Sequence, residues 1–188
     1  MATMPAPRSV DDPSVEVLAR CQQGDADAFA DIVRAHERMV YSLALHMVWD
    51  AQRAEEVAQD VFLQLYRQIG EIETPAHLRH WLRRVTSHRA IDALRQRAGR
   101  GHVGLDCVPE PAAPRYDPDP WIGRLVRRLV ASLPARPRAV VVLRYQEELD
   151  LSEIATLLDM PLNTVKSHLR RSLALLRGRA AEQLEARP

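Results

Sequence analysis

The chain has 188 residues, of which 46% are hydrophobic and 27% charged, a composition typical of a soluble protein with one medium or two small domains. Its longest apolar run, residues 139–143, is far too short to cross a membrane, and the N-terminus lacks a signal-peptide pattern. We therefore expect a cytoplasmic protein without membrane insertion. Cys21 and Cys107 lie far apart, which argues against a disulfide framework and favours buried or inert thiols.

Charge is unevenly distributed along the chain. The net charge is only +1, which by itself is weak evidence for a nucleic-acid-binding protein. Residues 1–98 carry 12 Arg against 14 acidic residues, whereas residues 121–188 carry 12 basic and 7 acidic residues. Because the distribution of charge matters more than its sum, the C-terminal part is the more basic candidate for contact with DNA.

The first part of the chain is predicted to be a series of helices. Residues 1–13 contain proline and aspartate without periodicity and are predicted to be a disordered tail. Helices are then expected from Ser14, from about Asp27 after a break at Gly24, and from a cap at Asp50. The last of these helices has one apolar stripe and a second face that is acidic and polar, with Glu55, Glu56, Gln59, Asp60 and Gln64.

A basic helix over residues 76–97 completes the first domain, which we place at residues 14–98. This helix contains six arginines and one acidic residue, together with Trp81 and His88. Basic residues interleaved with an aromatic side chain suit a surface that follows phosphates and stacks on an unpaired base. In the alternative interpretation, Trp81 is a core residue that packs with its helical neighbours Leu78, Leu82 and Val85.

A glycine- and proline-rich stretch, residues 99–120, is predicted to be a flexible linker. A helix is expected after it and is ended by Pro134 and Pro137, and a further helix is expected over residues 139–146.

The predicted fold class is all-α, because the sequence contains no strand-turn-strand pattern and no internal repeat. Two small helical domains joined by the flexible linker are expected. The second domain is placed at residues 121–180 and is followed by a C-terminal tail at residues 181–188.

The second domain contains a predicted helix-turn-helix. Asp150 can cap a short helix, with Glu153 completing a capping box, and a turn follows at residues 159–161. The second helix must begin near Pro161. Its outer face carries Lys166, Ser167, Arg170 and Arg171. This shape places a recognition helix in the DNA major groove, although a helical hairpin with merely solvated charges would have a similar pattern.

Five segments in order resemble the bacterial sigma factors of the sigma-70 family, specifically the extracytoplasmic function group that keeps only the second and fourth conserved regions. The segments are GDADAFADIV, AEEVAQDVFLQLYR, HWLRRVTSHRAIDALR, LPARPRAVVVLRYQEELDLSEIA and LNTVKSHLRRSLALLR. The resemblance extends from about Ser14 to Ala180.

The resemblance implies a role for each segment. In the family, the helix with AEEVAQDVF docks on the clamp helices of the largest polymerase subunit, and the matching positions here are Glu56, Gln59 and Asp60. The following helix opens the minus-10 promoter element and captures an unstacked base; the matching segment contains Trp81, Arg83, Arg84, His88 and Arg89. The fourth region reads the minus-35 element as duplex, and its contact positions correspond to Lys166, Ser167, Arg170 and Arg171.

The resemblance also implies partners, namely core RNA polymerase through its clamp helices and flap region, promoter DNA, and an anti-sigma factor that holds the protein inactive. One departure from the family occurs at His88, where many members have Asn. Imidazole offers one donor and one acceptor, so the minus-10 preference is expected to differ.

The sequence disfavours two other classes of protein. A regulator of the LuxR type would use a similar C-terminal hairpin, but its sensing domain would show alternating strands and helices or a ligand pocket. An enzyme or metal protein is disfavoured because His77 and His80 lack a third ligand at helical spacing and no nucleophile-base set occurs. No catalytic residue, cofactor or metal site is therefore predicted.

Overall fold

The computed structural model describes residues 13–99 and 120–185, except for the side chains of residues 98, 99 and 120. Within these ranges the chain is helical without strands, so the all-α prediction is confirmed. No helix found there combines the length and the hydropathy that a membrane crossing requires. The helices are α1 (Val15–Gln22), α2 (Ala26–Val48), α3 (Ala51–Gln68), α4 (Pro75–Gly99), α5 (Pro120–Ala131), α6 (Ala135–Tyr145), α7 (Leu151–Leu157) and α8 (Leu162–Glu185), with a short 3₁₀ helix at Ile69–Glu71.

Side-chain caps set the helix starts of the N-terminal half. The Ser14 hydroxyl accepts a hydrogen bond from the N–H of Val17 at 3.2 Å. The Asp50 carboxylate caps α3, as predicted from the sequence. Gly24 adopts a φ of +90° between α1 and α2, a conformation that glycine reaches without steric cost. The Asp25 carboxylate then accepts bonds from the first free N–H groups of α2.

Helix α2 is the centre of the N-terminal half, and α1, α3 and α4 all pack against it. Burying a large aliphatic side chain stabilises a fold by about 1.5 to 3 kcal/mol relative to leaving it exposed. The largest fully buried side chains include Ile32, Leu43 and Met47 of α2, Leu65 of α3, and Leu78 and Leu82 of α4.

The C-terminal half contains the predicted capping box. The Asp150 carboxylate accepts from the N–H of Glu153 at 2.8 Å, and the Glu153 carboxylate accepts from the N–H of Asp150 at 2.7 Å. The start of α6 differs from the prediction, because the helix begins at Ala135 and includes Pro137. A proline in the first helical turn sacrifices no intrahelical hydrogen bond, so Pro137 does not separate the two helices.

Some predicted segments lie outside the described residues. These are residues 1–12 of the N-terminal tail and residues 100–119 of the linker, including Cys107. At the other end, α8 continues to Glu185 and so extends into the segment predicted to be a C-terminal tail.

The two halves pack against each other through α2, α4, α6 and α7, a contact that was not predicted. Arg138 of α6 is buried at this junction, with 8% of its surface exposed. Its guanidinium donates to the carbonyl oxygens of Met47 (2.8 Å), Leu133 (3.0 Å) and Ala131. Burial, with a smaller contribution from Arg97, lowers the pKa of Arg138 to about 10. One arginine thus joins the ends of α2 and α5 to α6.

Candidate functional sites

The outward face of α8 carries the four residues predicted to contact duplex DNA. Lys166, Arg170 and Arg171 are exposed and Ser167 is half-buried, whereas Val165 on the opposite side is fully buried. Among the residues with described side chains, none forms an ion pair with these three cations. The structure therefore brings the predicted residues together on one open, basic helix face.

Two groups that the sequence analysis did not single out lie near Arg171 on this side of the C-terminal half. His168 lies half-buried on α8, and burial, followed by the charges of Arg171 and Arg136, lowers its pKa. Its ring is therefore uncharged at neutral pH and contributes hydrogen bonding rather than charge. Arg136 belongs to the first turn of α6, so only the tertiary fold could associate it with the recognition helix.

Helix α4 holds the residues predicted to contact unpaired DNA, and their environments differ. Trp81 is half-buried and packs against the core, so one part of its ring contacts core residues and the other part is exposed. Arg89 is exposed, and its Nη2 donates to the side-chain carbonyl of Gln64 on α3 at 3.0 Å. That bond orients the guanidinium of Arg89 from a neighbouring helix.

The other three predicted α4 residues contact the C-terminal half. Arg83 pairs with Glu147, with Nε and Oε2 2.8 Å apart. Arg84 pairs with Asp159, with Nη2 and Oδ2 also 2.8 Å apart. The Nε2 atom of His88 lies 3.2 Å from the carbonyl oxygen of Leu157 and 3.6 Å from the Asp159 carboxylate. In this conformation, part of the predicted minus-10 surface is therefore occupied by the chain itself.

A groove of about 930 Å³ separates the exposed sides of α2 and α3. Its walls are partly aromatic, and the rings of Phe29 and Tyr66 meet edge to face with centroids 5.2 Å apart. Of the residues predicted to bind polymerase, Gln59 lines the groove, and Glu56 and Asp60 are exposed on the same helix. The lining residues are Phe29, Val33, Glu37, Arg38, Tyr41, Glu55, Ala58, Gln59, Phe62, Leu63 and Tyr66.

The apolar part of this groove was missed in the sequence analysis. Leu63 and Tyr66 are 55% and 66% exposed, which is a large exposure for such side chains at neighbouring turns of one helix. The sequence signal was available, because both residues lie off the buried stripe formed by Val57, Val61 and Leu65. Contiguous exposed apolar side chains are more typical of protein-binding surfaces than of fully solvated ones.

Cys21 and His77, two side chains that could be reactive, are held in contacts within the fold. Cys21 is 5% exposed, and burial, followed by the charge of Asp25, raises the pKa of its thiol, which disfavours the reactive thiolate. The Nδ1 of His77 accepts a hydrogen bond from the N–H of Glu73 at 3.3 Å. Among the described residues, no group of three or more potential metal ligands is close enough to hold an ion.

Family models match both halves of the chain. The sigma-70 region 2 model matches residues 32–100, and the sigma-70 region 4 model matches residues 123–176. The ECF RNA polymerase sigma factor SigW of Bacillus subtilis is 30% identical over 173 residues, which span 85% of this chain and 92% of SigW. The ECF RNA polymerase sigma factor SigM of Mycobacterium tuberculosis is 29% identical over 171 residues, which span 87% of this chain and 82% of SigM.

Two solved structures share the fold. The sigma factor RpoE of Bartonella quintana, in complex with the anti-sigma factor NepR, has a TM-score of 0.67 at 17% identity and covers 87% of this chain and 100% of RpoE. CnrH, in complex with the cytosolic domain of CnrY, has a TM-score of 0.63 at 21% identity and covers 89% of this chain and 96% of CnrH.

Proposed function

This chain belongs to the extracytoplasmic function group of the sigma-70 family of RNA polymerase sigma factors. We propose that three of its surfaces each bind a different partner during promoter-specific transcription initiation. The α2–α3 groove binds core polymerase, α4 engages the minus-10 element, and α8 reads the minus-35 element. The main support for this proposal is the open basic face of α8. Lys166, Arg170 and Arg171 lie together on it and are exposed, as a recognition helix in the DNA major groove requires.

The groove suits a helical partner with basic and apolar residues, and its proposed occupant is the clamp-helix pair of the largest polymerase subunit. Leu63 and Tyr66 offer apolar anchors, and Glu55, Glu56 and Asp60 place negative charge on the same helix. An amphipathic helix in a groove gains affinity from the apolar contacts, whereas complementary charge sets the orientation and the association rate.

The C-terminal half is proposed to bind the minus-35 duplex through α8 and the flap region of polymerase through α5. Arginine on a recognition helix can donate two parallel hydrogen bonds to guanine, which suits Arg170 and Arg171. Ile122 and Val126 of α5 are 48% and 52% exposed and lie one turn apart. They supply an apolar patch for the flap region.

The minus-10 element is proposed to be captured by α4. The half-buried ring of Trp81 can support an unstacked base, and Arg83, Arg84 and Arg89 can hold the phosphates of the displaced strand. His88 stands at the position that reads the flipped base. Because its imidazole has one donor and one acceptor in the neutral form, it accepts a narrower set of base edges than an amide.

Two further proposals concern partners and chemistry. An anti-sigma factor is proposed as a regulator, because RpoE of Bartonella quintana, which has the same fold, was solved with one. The chain itself is proposed to catalyse nothing, and RNA synthesis is left to the polymerase. A LuxR-type regulator would share the hairpin but would not account for the region 2 match over residues 32–100.

Run-off transcription tests the proposal directly. Purified chain is added to sigma-free core polymerase on genomic fragments from its own organism, with core polymerase alone as the control. We expect transcripts that depend on the chain and that start downstream of shared minus-10 and minus-35 sequences. Absence of chain-dependent transcripts from all fragments would contradict the proposed function.

A further inference from the structure

We infer that Asn163, at the start of the recognition helix α8, reads an adenine of the minus-35 element through its side-chain carboxamide. Asn163 is the second residue of α8 and is not one of the four residues predicted to contact duplex DNA. The inference rests on the proposed function of α8. It adds a base-reading residue to a face whose predicted and exposed contact residues are all cations.

Asn163 lies at the centre of the outward face of α8. Successive residues of an α-helix are about 100° apart around the axis, which places Asn163 about 160° from Val165. Val165 is fully buried, so Asn163 lies almost diametrically opposite the packed side of the helix. The same rotation places Asn163 between Arg170 and Ser167, two of the predicted contact residues. The spacing of positions 163, 166, 167 and 170 is that of a single helix face.

The side chain of Asn163 is available to bind a ligand. It is exposed, and its carboxamide forms no hydrogen bond within the described residues. The first turn of α8 is held by backbone bonds instead, because the N–H groups of Thr164 and Val165 lie 2.8 and 3.1 Å from the carbonyl oxygen of Pro161. The carboxamide therefore has no visible part in starting the helix and is free to contact DNA.

A carboxamide matches adenine in a way that the neighbouring cations do not. In the major groove adenine presents an acceptor at N7 and a donor at N6, and asparagine can bind both atoms at once. Lysine and arginine side chains only donate hydrogen bonds. Lys166, Arg170 and Arg171 therefore suit phosphates or the two acceptors of guanine. Asn163 carries a donor and an acceptor on one planar group and fits adenine better than these three residues.

The position of Asn163 in the first turn favours a base contact over a phosphate contact. The N-terminal residues of a recognition helix in a helix-turn-helix are those that contact base edges. Asn163 and Arg170 are about 10 Å apart along the axis, at about 1.5 Å per residue, so they reach different parts of one DNA site. Because the carboxamide is uncharged, it should contribute sequence preference and leave the salt dependence of binding to the cations.

The base preference of the holoenzyme, assembled from core polymerase and the full chain, tests this inference. Promoter duplexes that support chain-dependent run-off transcription are randomised at one minus-35 position at a time, and the bound fraction is sequenced. The variant N163A removes the carboxamide and places the best helix former in α8. We expect the preference for adenine at one position to fall roughly five- to a hundred-fold, with the other positions unchanged.

Two further variants make the test specific. Q183A removes an exposed carboxamide near the far end of α8, so it is the matched control and should keep the wild-type preferences. N163D guards against misfolding of N163A, because the helix dipole favours an acidic residue in the first turn. Its carboxylate only accepts hydrogen bonds. N163D should therefore shift the preference at the same position from adenine toward cytosine, whose N4 group donates.

A modified base distinguishes a direct contact from an effect of DNA shape. 7-Deazaadenine still pairs with thymine, but it has a C–H group in place of the N7 acceptor that asparagine would bind. Placed at the preferred position, it should weaken binding of the wild-type holoenzyme several-fold. Binding of the N163A holoenzyme should not change.

The outcomes separate this inference from the proposed function. An adenine preference that is lost in N163A, shifted in N163D and retained in Q183A supports the inference. Wild-type preferences in both Asn163 variants would overturn it, as would an equal loss of affinity for all sequences, which would make Asn163 a phosphate contact. In either case the function of α8 stands. If the wild-type holoenzyme shows no base preference at any minus-35 position, the proposed function of α8 fails, and this inference fails with it.

Discussion

Two arginine-rich helices of this protein, α4 and α8, carry similar numbers of basic residues but have different surroundings. On α8, the cations Arg170 and Arg171 are exposed and have no acidic partner among the described side chains. On α4, Arg83 and Arg84 are paired with carboxylates of the other half of the chain. A basic pattern therefore identifies the chemistry of a surface, whereas the packing of distant elements decides whether that surface is available.

The acidic face of α3 provides the sharpest contrast with these basic helices, because it should bind protein rather than DNA. The double charge reversal E56K/D60K is expected to abolish co-purification with core polymerase, since both residues are exposed beside the groove and a basic partner would then meet like charge. Pull-down of the polymerase subunits with tagged chain measures the effect. E182K/E185K makes the same change in net charge at the far end of α8 and should bind normally.

The open basic face of α8 can be tested without disturbing the covered face of α4. R170A/R171A should reduce minus-35-dependent transcription by roughly ten- to a hundred-fold, because each base or phosphate contact contributes about 1 to 3 kcal/mol. Binding to core polymerase should be unchanged. Arg177 is exposed on the same helix outside the predicted contact positions, so R177A serves as a control for the loss of a single arginine. Unchanged promoter output in R170A/R171A would contradict the assignment of α8.

Local signals in the sequence were sufficient to predict most of the fold. The caps at Ser14, Asp50 and Asp150 act on N–H groups within three residues, so their chemistry is readable from neighbouring positions. The recognition helix was predictable for the same reason. Pro137 misled the prediction, because proline can end a helix or occupy its first turn, and only its neighbours in space decide between the two.

Contacts between residues distant in the sequence could not be predicted. Arg83 and Glu147 are separated by 64 positions, and neither has a sequence feature that specifies the other. The buried Arg138 gave no signal either, because its acceptors are backbone carbonyl oxygens, which every residue has. The covered state of the candidate minus-10 site therefore depends on tertiary packing that single-sequence patterns do not record.

The junction that holds α4 covered can be weakened at Arg138. R138M removes a guanidinium that donates to three carbonyl oxygens, and we expect the free energy of unfolding to fall by about 2 kcal/mol. R138K should lose stability in the same direction, because a single ammonium group cannot span three separated acceptors. Urea denaturation of both variants measures the change. Wild-type stability in R138M would show that the junction does not depend on this residue.

The same variant sharpens the comparison between the two helices. Arg138 is expected to help hold the two halves together. R138M should therefore also speed the chemical modification of His88 on α4 by diethyl pyrocarbonate, measured without denaturant, where the chain remains folded. Duplex DNA binding by α8 should be much less affected. A parallel loss of both would indicate general unfolding rather than opening of the junction.

The smallest expected effect concerns pH and the half-buried ring of His46 on α2. Burial lowers its pKa from 6.5, so the folded chain favours the neutral ring, whereas the unfolded chain takes up a proton first as the pH falls. The ring therefore costs no stability above about pH 6.5. Below that pH the free energy of unfolding decreases, until the ring of the folded chain is also protonated at its lowered pKa. Thermal unfolding between pH 7.5 and 5.5 should show a shallower decrease for H46Q than for the wild type.

Glu147 connects this pH dependence to the covered face of α4. Burial lowers the pKa of His46, and the charge of Arg127 lowers it further. The hydrogen bond from the ring to the Ser42 carbonyl oxygen and the charge of Glu147 both act in the opposite direction and raise this pKa. E147Q should therefore steepen the acid-induced loss of stability, because the protonated ring loses a favourable charge. If E147Q has the wild-type slope, Glu147 does not remain beside His46 in solution, and the contact of Glu147 with Arg83 would be open for most of the time.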